Sequence, residues 1–260
     1  MKLFNYLYYN LGHGYINTFR GLSKEVWWLA LVTLINRAGT MVIPFLSLYL
    51  TTNLEFSLDN VAWIMTAFGL GSIAGSWIGG KLTDMIGYYK VMVFSLLLSG
   101  LLFIGFQFLN TFTSICIGIF ILMTVADMFR PAMFVALSAY SKLENKTRSV
   151  TLIRLAINLG FSAGPAIGGL IITTMSYGGL FWVDGITCMI AAIVLLNVLH
   201  PKKAKILDME INPNPKSAYK DKPFLIFFFA MVIFGVVFLQ FLSTLPYFYK
   251  EGVGLSEFEI

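Results

Sequence analysis

Charge is what this chain has least of. Asp, Glu, Lys and Arg make up 12% of its 260 residues, whereas a soluble globular domain carries about 25%. With 58% hydrophobic residues and 24 Phe, it has too few charges to cover a water-facing surface. Lipid must therefore be one of its solvents. Ligand-type residues are equally scarce. The only cysteines, Cys116 and Cys188, sit inside apolar runs and read as small packing residues. His13 and His200 have no partner at metal-ligand spacing. No metal or organic cofactor is expected, and a membrane enzyme is set aside because no nucleotide loop, metal cluster or nucleophile constellation is present. The first 25 residues lack the apolar core and small-residue cleavage site of a secretory signal. Their tyrosines read instead as an interfacial leader.

Long apolar runs are abundant. A helix needs about 20 apolar residues to cross the hydrocarbon core, and seven runs qualify: 27–50, 61–80, 91–109, 113–137, 151–175, 180–199 and 224–249. They are called spans 1 to 7 below. The ~10-residue alternating strands of a membrane barrel are missing. Lys and Arg give the orientation. Basic residues precede span 1 (Arg20, Lys24), flank the 2–3 connection (Lys81, Lys90), fill the 4–5 connection (Lys142, Lys146, Arg148) and follow span 6 (Lys202 to Lys222). The alternate connections, 51–60, 110–112 and 176–179, contain none. The expected topology places the N-terminus in the cytoplasm and span 6 returning there, in a cell membrane, with the bacterial inner membrane preferred.

The expected organisation is a cytoplasmic leader (1–26), a six-helix bundle (27–199), a Pro-containing basic linker (200–222) and the first helix of a second bundle (223–260). Span 1 ends with Pro44 and Tyr49 before Ser57-Leu58-Asp59, and span 7 ends with Pro246 and Tyr249 before Leu255-Ser256-Glu257. An even number of crossings separates them, the weak signature of a parallel internal repeat.

The connection after span 2 reads Gly80-Lys81-Leu82-Thr83-Asp84-Met85-Ile86-Gly87-Tyr88-Tyr89-Lys90. Its glycines suit a tight turn, and its carboxylate suits the positive end of a neighbouring helix. It resembles the signature loop of the major facilitator superfamily, with Met85 and Tyr88 where basic residues are common. The resemblance implies a cytoplasmic gate made by Gly80, Asp84, Gly87 and Lys90. Span 5 carries Gly160, Gly164, Pro165, Gly168 and Gly169; three of these glycines are four apart and form one smooth face. This segment resembles the span 5 motif of drug/proton antiporters in that superfamily, although generic helix packing explains the glycines equally well. The fold implied is an all-α major facilitator fold: a six-helix N-terminal bundle plus a seventh transmembrane helix, from a whole of twelve. A second six-helix bundle is then expected in the same full-length chain.

A charge at a helix centre costs roughly 2.5–3.5 kcal/mol on insertion scales, which makes intramembrane ionisable residues functional candidates. Arg37 in span 1 lies about 15 Å from one surface and Asp127 in span 4 about 21 Å from the other, at 1.5 Å per residue. These depths are comparable. Arg130 shares a helical face with Asp127, and Pro131 removes the backbone donor that would serve the Asp127 carbonyl. Asp127 is the candidate proton site, with Arg37 or Arg130 its alternating partner; the rival reading is a permanent structural ion pair. Asn36, Thr40, Asn158 and Gln240 are candidate cavity residues. Asp184 reads as an outer gate or a capping residue. The function expected is secondary active transport by alternating access, driven by a proton gradient, with efflux of an amphipathic or drug-like small molecule favoured. Symport of a peptide, sugar or other nutrient is the alternative, and a non-transporting scaffold or receptor on the same fold is the rival from another class. The lipid bilayer and a small-molecule substrate are the expected partners, and nucleic acid is not one.

Overall fold

The computed structural model describes residues 19–202 and 220–256, and among them the regular elements are all helical. The leader before residue 19 and most of the linker (203–219) lie outside the described residues.

Span 1 is two helices, α1 (Lys24–Ala38) and α2 (Val42–Leu48), extended by a π-helical turn at Tyr49–Asn53. Span 2 is α3 (Leu58–Ile86) and span 3 is α4 (Tyr88–Phe106). Span 4 is interrupted: α5 (Phe112–Asp127) gives way at Met128 to α6 (Phe129–Tyr140). The break lies where Pro131 has no N–H to offer the Asp127 carbonyl. Spans 5 and 6 form one hydrogen-bonded run, α7 (Lys146–Val198), whose single non-helical residue is Ser176, at φ 63° and ψ 179°. Span 7 is α8 (Lys222–Phe248), capped by the Asp221 side chain and followed by a second π-helical turn, Tyr49's counterpart at Tyr249–Val253.

Ser176 reverses the chain. Before it, Gly160 lies against Arg37 and Gly168 against Phe45, so span 5 runs in the direction of span 1. After it, Tyr177 meets Tyr49, Asp184 meets Met41, and Lys202 pairs with Glu25, so span 6 runs back. Six crossings are therefore present before the linker, and the chain is a multi-pass membrane protein.

Hydrogen bonds tie together the connections that carry the basic residues. Ser23 Oγ donates to the Tyr140 carbonyl at 2.8 Å, Asn145 Nδ2 to Gly21 at 3.0 Å, Tyr140 Oη to His200 at 2.8 Å and Tyr88 Oη to Lys202 at 2.9 Å. The starts of spans 1, 3 and 5 and the ends of spans 4 and 6 thus share one end, the basic end. The lysine-free connections meet at the far end, where Tyr49, Phe106 and Phe181 pack edge to face and stacked. Along its first half, span 7 leaves Phe227, Phe229 and Phe234 exposed, while its last turns reach span 1.

Two glycine stripes set close helix contacts. Cβ atoms added at Gly71, Gly75 and Gly79 would strike span 4 backbone at Phe120, Thr124 and Met128 respectively. Cβ atoms at Gly160 and Gly164 would strike Arg37 and Ala38 in span 1. Small residues of this spacing let helices approach closely in lipid, where no hydrophobic driving force operates between them.

Candidate functional site

The break in span 1 exposes helix-end groups in the membrane interior, where each needs a partner. At the C-terminal end of α1, Thr40 Oγ1 donates to the Arg37 carbonyl at 2.5 Å and the Gly39 N–H to Ile35 at 3.1 Å. At the N-terminal end of α2, the Met41 N–H lies 3.0 Å from both Asp184 carboxylate oxygens and the Val42 N–H lies 2.9 Å from Oδ2. Asp184 is fully buried. It is therefore a capping residue, seated deep in the bundle beside residue 41 rather than one turn from the outer surface, as its position in the apolar run implies. Gly39 lies at the same crossing, where a Cβ would overlap the Thr187 side chain.

The break also positions Arg37. Its guanidinium carbon lies 5.5 Å from the centre of the Phe161 ring in span 5, within cation–π range. Gly160 makes this possible, because a Cβ there would come 2.6 Å from Arg37 Cβ. Across the bundle, Ser95 Oγ of span 3 donates to the Val125 carbonyl at 2.7 Å, holding span 4 one turn before its own break.

The two interruptions face one another. Arg37 and Asp127 line the same cavity of about 30 Å³ together with Asn36, Thr40, Ser99 and Cys188. This is room for a water molecule or two. Asn36 Nδ2 donates to Cys188 Sγ at 3.6 Å. No ion pair joins Arg37 to Asp127. A guanidinium and a carboxylate thus share a polar pocket in the membrane interior without being locked together.

Other predicted site residues lie elsewhere. Arg130 is exposed and outside the cavity lining. Asn158 and Gln240 are exposed and do not line it either. Sequence reasoning missed Ser99, Phe161 and the deep placement of Asp184. Ser99 is one of two serines in a mostly apolar helix, and Phe161 is one of 24 phenylalanines. The available signal for Phe161 was its place beside Gly160, on the face that meets Arg37.

A family model describing the Major Facilitator Superfamily matches residues 29–260. The chain belongs to this superfamily of membrane transporters. Among similar proteins are the uncharacterized MFS-type transporter YceJ of Bacillus subtilis, 23% identical over 148 residues, and the multi-drug resistance efflux pump PmrA homolog of Lactococcus lactis, 26% identical over 161 residues. The quinolone resistance protein NorA of Staphylococcus aureus is 27% identical over 165 residues. These matches cover 56%, 60% and 63% of the chain and 37%, 40% and 42% of the relatives. The matched region is thus about two fifths of the relatives' length.

The superfamily's signature segment departs from the expected turn. The α3 helix continues through Gly80 to Ile86, and Gly87 alone, at φ 87°, makes the corner before α4 begins at Tyr88. Gly80 is mid-helix with open space where a Cβ would go, so it serves no turn. Gly87 needs the positive φ that other residues rarely adopt. Asp84 and Lys90 are exposed and hold no ion pair among the described residues. Asp84 does not cap a neighbouring helix here. Lys81 instead lies 4.0 Å over the Trp77 ring.

Proposed function

We propose that the full-length protein is a proton-coupled exporter of amphipathic, drug-like compounds, in which Asp127 carries the proton and Arg37 is its alternating partner. One observation carries the reading: Arg37 and Asp127 line a single polar cavity, each at a helix interruption, with no ion pair holding them. An opposite charge favours the carboxylate and desolvation favours the acid. A rocking motion that moves Asp127 toward or away from Arg37 therefore changes its proton affinity. Alternating access would supply that motion, with a second six-helix bundle of the same full-length chain closing the other wall. The export of drug-like compounds rests on the names of the PmrA homolog and NorA. The distribution of Lys and Arg supports a cytoplasmic basic end, and a bacterial inner membrane is the setting proposed. In that orientation Asp84 and Lys90 stand on the cytoplasmic face, exposed toward partners in the second half.

The test is proton movement in proteoliposomes of the full-length protein challenged with lipophilic cations, peptides and sugars. Proton flux opposite to a lipophilic cation, reduced by Asp127→Asn to the level of protein-free vesicles, is the expected result. Undiminished proton-driven transport by that variant would remove Asp127 from the mechanism. Flux in the same direction as a peptide or sugar would replace export with nutrient symport.

A further inference from the structure

A second cavity, of about 520 Å³, opens at the basic end, well away from Arg37 and Asp127. Its lining includes Ser23, Ser138, Ser141, Lys142, Lys146 and Lys202. Three lysines thus line one hollow, against a single acidic residue, Glu144. Lys202 is engaged by Glu25 at 2.5 Å and lies 6.0 Å from the centre of the Tyr140 ring. Lys142 and Lys146 hold no ion pair among the described residues.

Two further features lie beside the hollow. The Ser141 hydroxyl is buried and is the one such side-chain polar atom without a partner among the described residues. A buried hydroxyl of this kind is destabilising until it is satisfied. Lys146 also begins the long helix α7, and the N-cap residue Asn145 does not cap it; its side chain donates to Gly21 instead. A 3-10 turn at Leu143–Asn145 leads into the helix, with the Leu143 carbonyl accepting from the Lys146 N–H, and Lys146 sits at the positive end of the helix dipole.

The setting favours a lipid. Leu143, 65% exposed, stands between Lys142 and Lys146 on the cavity wall. Trp27 and Trp28, both exposed, follow Ser23 by about one turn of α1. Exposed tryptophans at a span's end sit at headgroup depth. We propose that this cavity binds the phosphate of an anionic lipid headgroup from the leaflet at the basic end. Lys142 and Lys146 would hold the phosphate, and Leu143 would lie against the acyl chains. Interfacial basic residues each strengthen binding to anionic lipid about fivefold.

The experiment uses full-length protein, stripped of lipid in neutral detergent, titrated with phosphatidylglycerol, phosphatidylcholine or inorganic phosphate. Bound lipid is counted by native mass spectrometry, and thermal unfolding is followed in parallel. Phosphatidylglycerol alone should bind and raise Tm. Lys142→Gln with Lys146→Gln should weaken its binding about 30-fold, while the paired Lys→Arg variant and Lys81→Gln should retain it. Equal binding of phosphatidylcholine, or unchanged affinity in the paired Gln variant, would overturn the site. The same rise in Tm with inorganic phosphate alone would overturn the lipid and leave a free-anion site.

Discussion

At the residue scale, Gly160 links packing to chemistry. Its missing side chain is the space into which Arg37 Cβ fits, and Phe161 next to it supplies the ring that Arg37 faces. Gly160→Ala forces span 5 away from span 1, because the new methyl would meet backbone atoms of Arg37 and Ala38 at 2.9 Å as well as the side chain. Overpacking of this kind costs about 1–3 kcal/mol. The expected outcome is a lower Tm for the purified full-length protein and loss of coupled transport. Gly69→Ala is the control, since nothing lies within 4 Å of a Cβ there, and it should leave both unchanged. A second prediction isolates the ring. Phe161→Leu keeps most of the volume but removes a cation–π contact worth roughly 0.5–2 kcal/mol. Its expected signature is altered transport with Tm nearly unchanged; equal effects on both would assign Phe161 to packing alone.

At the element scale, the interruptions of spans 1 and 4 are held by different means. Span 4 breaks because of its own sequence, and Pro131 made that break legible from the residues alone. Span 1 breaks between Ala38 and Val42 because Asp184, 143 residues away from Met41, accepts the freed N–H groups of α2. No local pattern reveals that partnership, which exists only once span 6 has folded back beside span 1. The comparable depths of Arg37 and Asp127 were legible because a helix rises by a fixed distance per residue. The Gly80 turn was misread because a family motif that includes a glycine does not say which glycine bends the chain. Of the two glycines in that motif, Gly87 is the one with positive φ. Asp184 yields a graded prediction. Asp184→Leu removes every acceptor and orphans the Met41 and Val42 N–H groups, at about 1–3 kcal/mol apiece. Asp184→Asn keeps one oxygen and should lose less. Thermal unfolding in detergent should rank wild type above Asn and Asn above Leu; a stable Leu variant would mean that α2 does not depend on this cap.

At the scale of the whole molecule, charge and helix direction make one testable statement. The structure gathers Lys81, Lys90, Lys142, Lys146 and Lys202 at the end tied together by Tyr88, Tyr140 and Asn145, and leaves 51–60 and 176–179 at the other. Reversal at Ser176 is required for this segregation, because without it span 6 would carry Lys202 to the opposite end, where Lys250 lies. The repeat supports the same frame. Spans 1 and 7 both carry a late proline and both pass into a π-helical turn at a tyrosine, Tyr49 and Tyr249, and Lys250 Nζ reaches Tyr177 Oη at 3.5 Å at the far end. Spans 1 and 7 are therefore parallel, as expected for the first helices of two similar halves. The proposed cytoplasmic placement of the basic end, drawn from the positive-inside bias, can be tested directly. In a variant with Cys116 and Cys188 replaced, a cysteine at Glu55 should react with a membrane-impermeant maleimide added to intact cells. A cysteine at Lys142 should react only after the cells are opened. The reverse labelling would invert the orientation and move the proposed lipid site to the other leaflet, while leaving the helix pairing and the Arg37–Asp127 cavity as described.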